Sequence, residues 1–332
     1  MRVCFVLQGL IQSIQKCARK RKRLVMDTKK VIKFVVITYL IAWTIQIIVS
    51  LYMVNNPGMI GTTVFQVGLA VCMFAPLLAA LISKARFKGM GWKPKFKGNI
   101  GWLFFAAYGM IPVFAAGAVL FFMLFPNLFD TSGSYYIAAT EAAGVDIVEE
   151  LAKSGMSIQT YVLVSMAALI YAPFVNISTA IGEEAGWRGF LYPELNKKFK
   201  RPVVWIIGGA IWAAFHFPAM LIGGYEYGLD YIGSPWLGLI VFTVFCITLG
   251  VLEEIVYSKT KCIWYAALLH GSVNAAGTYP IVFANANNAD LGKLMVLGPA
   301  PNGIIAGLPL IILAVIMGIA VIRKDKKAKE AA

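Results

Sequence analysis

The chain has 332 residues, 59% of them hydrophobic and 14% charged, with a net charge of +14. Soluble domains carry roughly 25% charged residues, so this composition, with a mean hydropathy of +0.74, excludes a soluble globular enzyme, a disordered chain and a disulfide-stapled scaffold. A transmembrane β-barrel is excluded too, because its strands are alternating segments of ~10 residues rather than long apolar runs.

In chain order, a basic segment (1–33) precedes eight apolar segments near 34–54, 62–83, 100–125, 160–182, 203–222, 235–257, 262–283 and 304–322, and a basic tail (323–332) follows them. Each run is long enough to cross a hydrocarbon core of ~30 Å at ~1.5 Å per residue. The expected fold is therefore an all-α polytopic bundle of eight transmembrane helices forming one domain over 34–322. In that arrangement 28 of the 30 Lys and Arg residues fall on one side, and only Lys153 and Lys293 fall on the other. The positive-inside rule makes that side cytoplasmic and places both termini there. The positive charge then needs no nucleic acid; anionic lipid at the cytoplasmic face is the expected partner.

Residues 1–25 put an apolar stretch ahead of the Arg/Lys cluster, the reverse of a signal peptide. They read either as an interfacial helix or as an extension upstream of a start at Met26. The five cysteines form no CxxC pair and read as small apolar packers.

Ionisable side chains inside spans are costly and mark functional sites. Glu183, Glu184 and Arg188 close span four, His216 lies in span five and His270 in span seven. These are the only two histidines of the chain. Residues four apart share a helix face, which pairs Glu184 with Arg188, stacks Trp212 over His216 and sets His270 beside Asn274. Glu183 points ~100° away from Glu184 and is left to face another helix. Helix rise puts Glu183 ~14 Å, His270 ~12 Å and His216 ~20 Å from the cytoplasmic end, so the three can meet in that half of the bundle. Glu253 and Glu254 lie within about a turn of Lys259, and are expected to snorkel to the interface. Gly182, Gly186 and Gly189 form a small-residue stripe that permits close helix approach.

A carboxylate and an imidazole together can deprotonate water, and a second imidazole with an amide can stabilise an oxyanion. Glu183, His216 and His270 are equally a three-ligand set for zinc or another divalent metal. Both options are hydrolytic. The HExxH and GxSxG motifs are absent, and no Asp lies in any of the eight segments.

The segment Glu183-Glu184-Ala-Gly-Trp-Arg188 resembles the EExxxR motif of the CAAX protease and bacteriocin-processing (CPBP, or Abi) family. Trp212-Ala-Ala-Phe-His216 resembles its second motif, in which the aromatic is often Phe, and His270-Gly-Ser-Val-Asn274 its third, HxxxN. The three occur in the family's order over about 160–283. The resemblance implies an intramembrane endopeptidase open to the cytoplasmic side, cutting membrane-associated, CAAX-like or peptide-precursor substrates. It implies that Glu183 with His216 activates water, that His270 and Asn274 stabilise the oxyanion, and that Glu184 and Arg188 support them. A metal-dependent and a metal-free mechanism both stay open, and Glu253 and Glu254 lie outside the pattern. A bacterial plasma membrane is the expected location. The alternatives are a non-catalytic bacteriocin-immunity or scaffold protein and a proton-coupled transporter.

Overall fold

The computed structural model describes residues 25–331, and within them the chain is helical apart from turns and a single isolated bridge between Phe129 and Ala284. The choice between Met1 and Met26, and Cys4 and Cys17, fall outside these residues. The helices are α1 (Thr28–Asn55), α2 (Met59–Cys72), α3 (Ala75–Ile82), α4 (Ile100–Tyr108), α5 (Met110–Leu124), α6 (Ile158–Ser165), α7 (Ala168–Gly186), α8 (Arg201–Phe215), α9 (Phe217–Gly223), α10 (Trp236–Thr260), α11 (Ile263–Ala276) and α12 (Leu308–Glu330), with short helices in the connections.

Lipid, not water, sets this pattern. Large apolar side chains such as Leu40, Ile48, Phe104, Val175, Ile240 and Ile316 cover the outside, while Glu183, Glu184, Arg188, Glu253 and His270 are buried. In a bilayer every backbone polar group must be satisfied within the protein, which helices achieve along their own axis. Among the described residues, five helical stretches are long and apolar enough to cross a membrane: Thr28–Asn55, Met59–Ile82, Ile100–Leu124, Arg201–Gly223 and Trp236–Thr260. The pair Ile158–Ser165 and Ala168–Leu195, bent by 56°, would make a sixth. The other two apolar segments correspond to α11, of only 14 residues, and to α12, whose C-terminal turns are charged. A helix of 14 residues rises ~21 Å, short of a full crossing. Its environment suits this, because α11 is enclosed by other helices along most of its length.

Proline breaks and glycine contacts bring the central helices together. Pro76 opens α3 just after the break at Met73 and Phe74. A Cβ at Gly182 would lie 2.6 Å from the Met73 carbonyl oxygen, one at Gly186 would strike Pro76, and one at Gly189 would press on Met90. The glycine stripe of α7 is thus a packing surface, and it seats the acidic turn beside α3. The helix continues past Gly186 as a π-helical turn, Trp187–Leu191. Such turns are rare and occur often at functional sites. Cys72, Cys246 and Cys262 are buried free thiols, in keeping with a packing role.

Candidate active site

Four helices carry the ionisable residues: α7 and its π-turn bring Glu183, Glu184 and Arg188, the end of α8 brings His216, α10 brings Glu253, and α11 brings His270. One half of the site is a closed cage of charge. Arg188 Nη1 donates to Glu184 Oε1 at 2.9 Å, and Nη2 pairs with Glu253 Oε2. His270 Nδ1 lies 2.9 Å from the same Glu184 oxygen and 3.9 Å from Glu253 Oε1. Arg188, Glu184 and Glu253 are each 0% exposed. The guanidinium also lies over two aromatic rings, 4.9 Å from the Tyr192 centroid and 4.5 Å from that of Trp212. Buried charges persist only when paired and hydrogen-bonded, and here two carboxylates face one guanidinium and one imidazole.

The other half is built on indole. Glu183 Oε2 accepts from Trp187 Nε1 at 2.8 Å and from Trp212 Nε1 at 2.6 Å. Among the described residues no hydrogen bond reaches Glu183 Oε1, nor is that atom among the sealed, partnerless ones. Trp212 also fixes both histidines. Its carbonyl accepts from His216 Nδ1 at 3.1 Å, and its ring centre lies 5.3 Å from that of His270. Because a carbonyl only accepts, Nδ1 carries the proton, and neutral His216 keeps Nε2 as its lone-pair atom. Phe215, Tyr225 and Phe242 pack around the imidazole. Trp212 is therefore the hub, touching Glu183, Arg188, His216 and His270. An indole supplies an N–H that the Phe common at this position in the resembled family lacks.

The pairing of Glu184 with Arg188, and the separate outlook of Glu183 towards α8, hold as read from helix geometry. Two readings need correction. Glu253 and Glu254 do not snorkel: they are 0% and 4% exposed. Glu254 accepts from Trp205 Nε1 at 3.1 Å and pairs with Arg201 at 3.3 Å, while Glu253 belongs to the Arg188 cage. Proximity to Lys259 misled because α10 is covered by neighbouring helices even near its inner end. Arg188, one of the 28 basic residues that the charge count sets on the cytoplasmic side, lies inside the protein. Asn274 sits one turn beyond His270 on α11 and is exposed.

One group of ligand-type side chains among the described residues is close enough together to hold a metal ion, and it is not the Glu183, His216 and His270 set. Among the described residues, the trio whose ligand atoms lie within 4.8 Å of one another is Glu184, Glu253 and His270, and there the Arg188 guanidinium takes the place of a cation. Glu183, His216 and His270 are not gathered that closely, and Glu183 Oε2 already accepts from two indoles. What the arrangement offers is a carboxylate oxygen and an imidazole nitrogen without protein partners among the described residues, beside a cage in which two carboxylates meet a guanidinium and an imidazole.

Comparison with known proteins gives a match to one family model over residues 165–276, described as type II CAAX prenyl endopeptidase Rce1-like. No curated protein matches the chain. The matched segment is about a third of the chain, yet it contains Glu183, Glu184, Arg188, His216, Glu253, His270 and Asn274. The segment that builds this site is thus Rce1-like, which agrees with the CPBP resemblance of its three motifs.

Proposed function

We propose that the protein is an intramembrane endopeptidase that hydrolyses peptide bonds of membrane-associated, CAAX-like or precursor substrates. The observation that carries this reading is the placement of Glu183 and His216 on one tryptophan, each with a free basic atom. Water held by His216 would lose one proton to Glu183 as its oxygen bonds to the scissile carbonyl carbon, and Glu183 would then pass that proton to the amine nitrogen as the C–N bond breaks. His270, held by Glu184, and Asn274, open at the surface of α11, would donate to the oxyanion. Glu184, Arg188 and Glu253 keep this donor in place. No step requires a metal. Both termini and the basic rim would face the cytoplasm of a bacterial cell, against anionic lipid.

The test is cleavage by detergent-purified wild type and Glu183→Ala, offered a mixed library of prenylated and unprenylated peptides with products read by mass spectrometry. Cleavage by wild type that disappears in the variant is expected. Equal cleavage by both would remove Glu183 from the mechanism. Absence of cleavage by wild type would favour an immunity or scaffold role.

A further inference from the structure

α8 and α9 are parts of one apolar stretch, broken at His216. Pro218 is the source of the break. It has no N–H, so the carbonyl of Ala214 loses its partner four residues on. An uncompensated carbonyl would be costly in a bilayer. Two donors replace the lost one: a backbone N–H at the cap of α8, and Trp43 of α1, whose Nε1 lies 3.0 Å from Ala214 O.

The next rung is stranger. Phe215 O does not accept from Ala219 N. Instead Gln46 Nε2 donates to Phe215 O at 2.9 Å, and Ala219 N donates to Gln46 Oε1 at 3.2 Å. One side-chain amide is thus inserted into the helix ladder, standing in for a single backbone bond across residues 215–219. Gln46 is 0% exposed, and its two bonds span His216, Phe217 and Pro218, with His216 next to the carbonyl that the amide caps. Tyr39 completes the set, its hydroxyl donating to Ile211 O at 2.8 Å. Tyr39, Trp43 and Gln46 stand at i, i+4 and i+7, one face of α1.

We propose that Gln46 is a positioning residue for His216: the amide wedges the α8–α9 break open by one inserted group and so sets where the imidazole points. α1 lies outside the Rce1-like segment, so the family match assigns this residue nothing. The inference rests on the endopeptidase reading only for its effect on rate; the effect on His216 geometry is independent of it. Leucine at 46 would have the volume but neither bond, and the break would close towards a direct 215–219 bond or leave two groups unpaired. Glutamate would keep the acceptor for Ala219 N and lose the donor to Phe215 O.

The experiment uses the full chain with labelled histidine. Only two imidazole signals exist, and His216→Gln assigns them. In Gln46→Leu the His216 signal is expected to move while that of His270 stays, with kcat falling about tenfold or more at a KM within about twofold, as misplacement of a reacting group produces. Gln46→Glu should fall between the two. Thr44→Ala, on the exposed side of α1, should change neither signal nor rate. An unmoved His216 signal in folded Gln46→Leu or Gln46→Glu overturns the proposal. So does a wild-type kcat in either variant when Glu183→Ala is dead. Should wild type fail to cleave, the endopeptidase reading falls, and the His216 signal alone decides the role of Gln46.

Discussion

The two halves of the site handle charge in opposite ways. Around Arg188, carboxylate, guanidinium and imidazole are sealed together, and Glu184 Oε1 is shared by two partners. Around Trp212, one oxygen of Glu183 is anchored by indoles and the other is left over, and His216 is tied at Nδ1 alone. The contrast separates two adjacent glutamates by surroundings: Glu184 sits inside the sealed cage and Glu183 beside His216, which under the proposed function assigns Glu184 to the scaffold and Glu183 to the chemistry. Consecutive helix positions point ~100° apart, which is how neighbours in sequence come to serve different halves.

The largest expected effect breaks the sealed half. Arg188→Ala leaves Glu184 and Glu253 buried without their cation, and removal of one partner from a buried pair costs roughly 3–5 kcal/mol. The variant is expected to be recovered poorly and to melt well below wild type, measured by thermal unfolding in detergent. A wild-type melting temperature would mean that the cage is not structural.

A smaller effect sharpens the open half. Trp212→Phe keeps the ring beside His270 and Arg188 and removes the Nε1–H that reaches Glu183. Freed from one of its two indole anchors, Glu183 should lose its set position and kcat should fall about tenfold or more, while the lost bond costs stability at most ~1.5–3 kcal/mol, so the melting temperature should fall less than in Arg188→Ala. A fall in melting temperature as large as that of Arg188→Ala would erase the distinction between the halves.

Much of this division is legible in the sequence, for a physical reason. Helical periodicity states which residues share a face, and it pairs Glu184 with Arg188 and turns Glu183 elsewhere. It does not state which helix covers a face. Distance to Lys259 alone therefore suggests an interfacial Glu253, whereas α10 is enclosed and delivers it to Arg188. Gln46 is hidden for a different reason: a neutral amide in an apolar span costs little and so does not stand out as an ionisable residue does. The i, i+4, i+7 stripe of Tyr39, Trp43 and Gln46 was the available signal, and Pro218 marks the helix that needed its donors. The break of span five at His216 could be suspected from that proline, but not the amide that fills it.

The smallest expected effect lies just outside the spans. Glu226, at a positive φ of 77°, accepts from Asn302 Nδ2 at 2.6 Å, and its neighbour Tyr225 stacks on His216 with ring centres 6.1 Å apart. Burial pushes the Glu226 carboxyl up from 4.5 to about 7. A raised carboxyl favours the protonated folded state, so its share of stability is complete below pH 4.5 and is lost as pH rises through about 7. Glu226→Gln should flatten the melting temperature between those limits; an unchanged slope would show that Glu226 does not titrate there.

The division of labour between the two glutamates is tested most directly by measuring Glu183→Gln and Glu184→Gln side by side, with kcat on a cleaved peptide and melting temperature for each. The expected result is loss of cleavage at a near wild-type melting temperature for Glu183→Gln, and a clear drop in melting temperature for Glu184→Gln. Wild-type turnover by Glu183→Gln would contradict the account.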